Sequence, residues 1–135
     1  MLIMAIDYGE RHTGVAFSDI SGKITGRTLV ITEYTPRRTL DRLREIIDES
    51  KPEKIVIGYP KNMNGTLGPR AEKSELLASD LRDITSAGVI LWDERLTTVD
   101  AHNILARSGK NAKKRKETVD AVAASLILEG YLASL

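Results

Sequence analysis

The chain has 135 residues, of which 41% are hydrophobic, 29% charged and 4% aromatic, a length that suits one domain over 1–135 able to bury its own core. It has no cysteine, which excludes disulfides, thiolate metal sites and a cysteine nucleophile, and only two histidines, His12 and His102, too few for a histidine-built zinc centre. No apolar run approaches the ~20 residues of a membrane span, and the short apolar start lacks the basic flank of a signal peptide, so a cytoplasmic protein with no membrane partner is expected.

In chain order, Leu2–Ile6 and Val15–Phe17 are short apolar runs joined by a segment carrying Gly9 and Gly14, the pattern of a β-hairpin. A third run, Thr28–Thr32, follows the turn signal Ser21-Gly22-Lys23 and completes a meander. The period then changes. Thr35-Pro36 is a helix start, with Leu40, Leu43, Ile46 and Ile47 at helical spacing behind it. Ile55–Ile57 is a buried strand closed by Gly58-Tyr59-Pro60, and an Asn- and Gly-bearing loop runs to Pro69, which opens a second helix with Leu76, Leu77, Leu81 and Ile84. Val89–Trp92 is a fifth strand. Thr97 or Thr98 caps a helix holding Ala101, Ile104 and Leu105, and Glu117–Leu132 is a last helix. A meander followed by alternating helices and strands makes an α/β fold with a mixed five-stranded sheet and helices on its faces.

In such sheets ligand groups gather at the carboxyl ends of the parallel strands. Asp7 ends the first strand, Asp93 and Glu94 end the fifth, and Asp120 lies in the first turns of a last helix that is apolar around most of its circumference. Each has a bland explanation: Asp-Tyr-Gly is ordinary turn chemistry, Asp93 and Glu94 suit a solvated strand end, and an acid near a helix N-terminus gains ~0.3–1 kcal/mol. Strand alternation puts Asp93 and Glu94 on opposite faces, with Ile90, Trp92 and Glu94 on one side. Acids from a first strand, a later strand and a last helix that converge would suit Mg²⁺ or Mn²⁺, and two such ions support phosphodiester hydrolysis.

The residues match a known family in order along essentially the whole chain. Asp7-Tyr-Gly with Arg11, Thr13-Gly14-Val15-Ala16 and Ser18-Asp19, then Ile57-Gly58-Tyr59-Pro60-Lys61-Asn62-Met63-Asn64-Gly65 with Gly68-Pro69-Arg70-Ala71, then Trp92-Asp93-Glu94-Arg95-Leu96-Thr97-Thr98, and finally Lys113-Lys114-Arg115-Lys116 with Val119-Asp120-Ala121-Val122-Ala123-Ala124, resemble the YqgF (RuvX) family of RNase H-like nucleases. The resemblance implies an RNase H-like fold and a metal-dependent nuclease of the bacterial cytoplasm, described as a Holliday junction resolvase and as a nuclease maturing the 5′ end of pre-16S rRNA. By motif it makes Asp7, Glu94 and Asp120 the catalytic, metal-binding acids. Lys61 and Asn64 depart from the usual apolar residue and Asp at their positions.

Net charge is only +1, but Lys110, Lys113, Lys114, Arg115 and Lys116 concentrate five positive charges in seven residues, read as a loop directly before the helix of Asp120. Lys113, Lys114, Arg115 and Lys116 are expected to hold phosphates, as are Arg11 in the hairpin turn, Lys61, Asn62 and Arg70 in the long loop, and Arg95. The basic segment carries no aromatic residue, so recognition through backbone and shape is expected. The partner is then nucleic acid, an rRNA precursor or branched DNA, met by a monomer or, for junction resolution, a homodimer. Two other readings use the same residues. A nucleic-acid-binding module without catalysis would leave the acids structural. An actin-like or sugar-kinase ATPase also cradles phosphate on an Asp-x-Gly hairpin, but needs a second domain for which this length has no room.

Overall fold

The computed structural model describes residues 1–60, 68–93 and 112–135, and the side chains of all of these except 112–120. Strands β1 (Ile3–Asp7), β2 (His12–Ser18) and β3 (Thr25–Thr32) are followed by helix α1 (Pro36–Ser50), strand β4 (Lys54–Tyr59), helix α2 (Pro69–Ile84), strand β5 (Gly88–Asp93) and helix α3 (Ala112–Ala133). The sheet order is β3-β2-β1-β4-β5. The β1–β2 and β2–β3 pairs are antiparallel, and β1–β4 and β4–β5 are parallel. The meander and the crossovers through α1 and α2 are therefore those expected. The helix expected after Thr97 or Thr98 lies outside the described residues.

Alternation along β1 divides the core. Met4 and Ile6 join Val15, Phe17, Ile55 and Ile57 under α1 and α2, where Leu43, Ile47, Leu77 and Leu81 close the layer. Ile3 and Ala5 join Ala16 and Val56 on the other side, against Ala124, Ile127, Leu128 and Tyr131 of α3. Each fully buried Ile or Leu contributes ~1.5–3 kcal/mol. Ala5, Ala16 and Ala124, all fully buried, let the backbone of α3 lie close to the sheet. Helix α1 starts as its sequence dictates: Thr35 Oγ1 accepts the Arg38 N–H at 3.2 Å, with Pro36 in the first turn.

Three element starts differ from the sequence reading by three residues or more. β2 begins at His12 and not at Val15, because Thr13 and Gly14 pair with Ile31 and Val30 on β3 although His12, Thr13 and Gly14 carry no apolar run. β3 begins at Thr25, three residues early, because an edge strand is defined by its pairing with β2, while Thr25, Gly26, Arg27 and Thr28 carry no apolar signal. α3 begins at Ala112, so Lys113–Lys116 stand on a helix and not in a loop. Lys and Arg are good helix formers, and a dense basic run is as compatible with a helix as with a loop.

The turn after β2 shows that a motif residue need not be a site residue. The Asp19 carboxylate accepts the N–H groups of Lys23 at 2.9 Å and Ile24 at 3.1 Å, and also the Ser21 hydroxyl. These bonds hold its pKa well below the usual carboxylate range. Ser18 Oγ accepts the Ile3 N–H at 2.9 Å and donates to the Asp19 carbonyl at 2.8 Å. Because the folded-state pKa of Asp19 is depressed, its contribution is present above the unfolded carboxylate pKa and is lost as pH falls through the folded one. Asp19→Ala is expected to lower the melting temperature at pH 7, with the difference from wild type vanishing in strong acid. A difference that persisted there would remove the carboxylate as the cause.

Candidate active site

Asp7 is the last residue of β1 and continues the alternation of Ile3 and Ala5, so it stands on the α3 face. It pairs with Gly14 on β2. The parallel register Ile6↔Ile57 continues to bring Gly58 alongside it on β4, and Gly58 pairs with Trp92 on β5. The row across this face is Gly14, Asp7, Gly58, Trp92. Neither lateral neighbour of Asp7 carries a side chain, so the carboxylate has no adjacent side chain to pack or bond with along the row.

The turn that follows is shaped by Gly9. A Cβ there would lie 2.2 Å from the His12 carbonyl oxygen, which only a backbone shift could relieve. The turn is closed further by Thr13 Oγ1, which lies 3.5 Å from both the N–H and the carbonyl of Gly9. The glycine of Asp7-Tyr8-Gly9 is thus explained by close backbone approach.

Asp7 is half-buried, and burial raises its pKa above the usual carboxylate range; the positive charge of Arg70 partly offsets this. Arg70 stands in the first turn of α2, which Pro69 opens as its sequence predicts, and is therefore a helix residue and not part of the long loop. Arg11, expected as a phosphate contact, lies over the Tyr34 ring at 4.8 Å from its centroid, and its Nη2 donates to the Tyr34 hydroxyl at 3.1 Å.

Asp120 lies more than two turns inside α3, not in its first turns. The helix dipole acts within the first turn, so favourable placement at a helix N-terminus does not account for an acid at this position. Asp120 precedes the buried Ala123 and Ala124 by one turn. Near the other end of α3, Lys54 Nζ donates to the Tyr131 hydroxyl at 3.4 Å, which fixes the end of the helix at the start of β4.

On β5, Ile90 and Trp92 pack with α3, and Tyr131 meets the Trp92 ring edge-on at 5.7 Å. Asp93 pairs with Tyr59, is exposed, and has the opposite parity to Trp92. Glu94, Arg95, Lys61 and Asn62 lie outside the described residues, as do the side chains of Lys113, Lys114, Arg115, Lys116 and Asp120. Among the described residues no three acids or histidines form a metal cluster, and no helix is long and apolar enough to cross a membrane.

A five-stranded mixed sheet of order β3-β2-β1-β4-β5, with α1 and α2 on one face and α3 on the other, is an RNase H-like fold. The chain belongs to the RuvX family: the family model, described as "RuvX: Holliday junction resolvase", matches residues 1–134. A relative from Halothermothrix orenii, named "Putative pre-16S rRNA nuclease", is 46% identical over 132 residues, covering 98% of this chain and 94% of its own. One of the same name from Geobacillus thermodenitrificans is 46% identical over 136 residues and covers 99% of both chains. At the level of fold, the fowlpox virus resolvase in complex with Holliday junction DNA is similar with a TM-score of 0.63 and 12% identity, over 99% of this chain and 98% of that one. Thermus thermophilus RuvC bound to a Holliday junction gives a TM-score of 0.52 and 17% identity, over 94% and 92%.

Sequence reasoning missed the arginines at the start of α1. Arg37, Arg38, Arg42 and Arg44 fall within eight residues, interrupted by a single acid, Asp41. The run at Lys110–Lys116 is denser and stands out first, although charge density alone would have found both.

Proposed function

We propose that the chain is a divalent-metal-dependent nuclease of the cytoplasm that hydrolyses phosphodiester bonds in structured nucleic acid, with 5′-end processing of pre-16S rRNA as its reaction. The observation that carries this reading is Asp7, a half-buried carboxylate flanked by two glycines at the end of a central strand, with its ionised form disfavoured by burial. A buried anion of this kind calls for a cation, and oxygen donors select Mg²⁺ or Mn²⁺. The donor set fits: Asp7, Glu94 and Asp120 would hold the metal, all three are hard oxygen donors, and Asp120 has lost its explanation as a helix-end acid. Two bound ions supply Lewis-acid activation of water and charge neutralisation at the leaving oxygen.

The chain's own residues do the rest. Asp7 would hold the metal through its carboxylate oxygens, and Arg70, whose positive charge partly offsets the cost of its burial, presents a guanidinium to a phosphate. Lys113–Lys116 on the first turns of α3 hold further phosphates.

The family description favours a second reading, resolution of a Holliday junction. Both are tested by incubating wild type and Asp7→Asn with a 5′-extended rRNA precursor and with a four-way DNA junction, in Mg²⁺ and in EDTA, alongside the mass in solution. Mg²⁺-dependent trimming of the precursor supports the first reading. Paired symmetrical cuts in the junction by a dimer would replace it with the second. Binding without cleavage, and without saturable Mg²⁺ or Mn²⁺ uptake, would reduce the protein to a binding module.

Replacing Lys113, Lys114, Arg115 and Lys116 together with Ala is expected to weaken binding for every sequence and to reduce the log–log salt slope by ~0.7–0.9 for each phosphate no longer held. Because these residues are helical and Ala is the best helix former, the melting temperature should not fall. An unchanged slope would return the segment to a solvated helix face.

A further inference from the structure

A groove of about 710 Å³ opens between the β1–β2 turn, the segment entering α1 and the start of α2. Its walls include Tyr8, Tyr34, Arg37, Arg70, Lys73 and Leu76. Tyr34 is 73% exposed and Leu76 66%, so two large side chains stand open along one groove.

The Tyr34 ring is nonetheless fixed. The Arg11 guanidinium covers it and hydrogen-bonds its hydroxyl, and the Arg11 carbonyl is itself held by the Glu33 N–H at 3.0 Å. A ring capped on one face by a cation and anchored at its hydroxyl has its other face for a second flat group, with much of the ordering cost already met.

The charges beside it suit a polyanion. Lys73 is paired with Glu10. Arg37 has no ion-pair partner among the described residues and stands in a first turn that holds no acid. Arg70 lines the groove together with Tyr8 and Gly9, the two residues that follow Asp7, so the groove runs up to the end of β1. Asp80, beside Tyr8, is the opposing acid. Aromatic faces bordered by cations are how sequence-tolerant sites take single strands, whereas a duplex keeps its base faces stacked and unavailable.

We infer that this groove binds the unpaired nucleotides flanking the scissile phosphate, with a base on the open face of Tyr34 and phosphates on Arg37 and Arg70. The inference rests on the nuclease reading for its link to cleavage, but the binding it describes is measurable without metal. It narrows the substrate to one with a single-stranded flank, which a 5′-extended precursor has and a fully paired junction lacks.

The test is the anisotropy of labelled eight-nucleotide oligouridylate, oligothymidylate and a duplex, titrated with the full chain in EDTA. Tyr34→Ala is expected to weaken both single strands about tenfold and the duplex less than twofold. Tyr34→Phe, which keeps the ring, should stay within about threefold of wild type, and Arg37→Ala should lower the salt slope by ~0.7. Tighter binding of the ribo-oligomer or of the deoxy-oligomer names the source of the flank, and either keeps the groove. Equal losses for duplex and single strand, or no loss in Tyr34→Ala, overturn it. So does a dimer that Tyr34→Ala dissociates without loss of oligonucleotide affinity, since the groove would then seat a second copy of the chain. If Tyr34-dependent binding holds but no substrate is cleaved in Mg²⁺, the groove stands and the nuclease reading falls; if cleavage holds and Tyr34 makes no difference, the reverse is true.

Discussion

Asp7→Asn is expected to abolish Mg²⁺-dependent cleavage and, in the absence of metal, to raise the melting temperature. The two effects share a cause. Burial disfavours the ionised form of Asp7, and Arg70 only partly offsets it. A carboxyl group whose folded-state pKa is raised contributes stability that is fully present below its unfolded pKa and lost as pH rises through the folded one. At neutral pH the ionised group therefore costs stability, and the isosteric amide removes that cost. Relief of this kind at a functional site is worth ~0.5–2 kcal/mol, or roughly 2–8 °C for a chain of this size. The gain of the Asn variant should shrink as pH falls through the raised folded-state pKa of Asp7 and be small below about 4, where the carboxyl is protonated in both states.

Saturating Mg²⁺ should reverse the ranking, because an ion that binds the folded wild type stabilises it by mass action and the variant has lost the charge that attracts it. The activity loss is expected at about 10³-fold or more, the equivalent of ~4 kcal/mol of lost transition-state stabilisation. Thermal scans of the two proteins at pH 3.5 and pH 7, with EDTA and with Mg²⁺, check each part. An Asn variant that melts below wild type in EDTA at pH 7 would show that the carboxylate is a structural acceptor.

What the sequence made legible follows from where the physics is local. The apolar runs, the Thr35 cap and Pro69 act within a few residues, and the elements they predict are present. The same holds for Asp7: an acid that directly ends a buried run is at a strand end whatever the rest of the chain does. The start of β3 was not legible because only its partner β2 defines it. The start of α3 was hidden because a dense positive charge reads as a solvated loop, while Lys and Arg continue a helix without penalty. Ser18-Asp19 matched the family as plainly as Asp7 did, and only the structure separates its role, closing a turn with its own hydrogen bonds, from that of the site. Tyr34 and Arg11 are 23 residues apart, and no local pattern announces a ring clasped by a guanidinium across two turns. The same is true of Arg70, whose effect on Asp7 depends on where the first turn of α2 meets the end of β1.

Glu94→Gln is expected to cost about 10²–10³-fold in cleavage, and Asp93→Asn less than about threefold. The argument is one of parity. Gly14, Asp7, Gly58 and Trp92 lie in register across one face, the face that α3 covers through Ile127, Leu128 and Tyr131. Trp92 is fixed there by its edge-on contact with Tyr131, and at Gly130 a Cβ would lie 3.3 Å from the Trp92 indole nitrogen, so the smallest residue lets the strand approach the helix. With Trp92 locked to that face, successive residues of an extended strand alternate. Asp93 takes the opposite side, where it is exposed, and by the same alternation Glu94 is the acid expected on the side of Asp7. The amide replaces the carboxylate with almost no change of volume, so a loss reports charge and not packing. The loss should appear together with a weaker Mg²⁺ midpoint, because an acid that holds the metal governs how much metal is needed as well as the rate at saturation. Asp93→Asn should move neither. A larger loss for Asp93→Asn, accompanied by a shift in its Mg²⁺ midpoint, would mean that the chain turns after Trp92 and that Asp93 is the acid shared with Asp7.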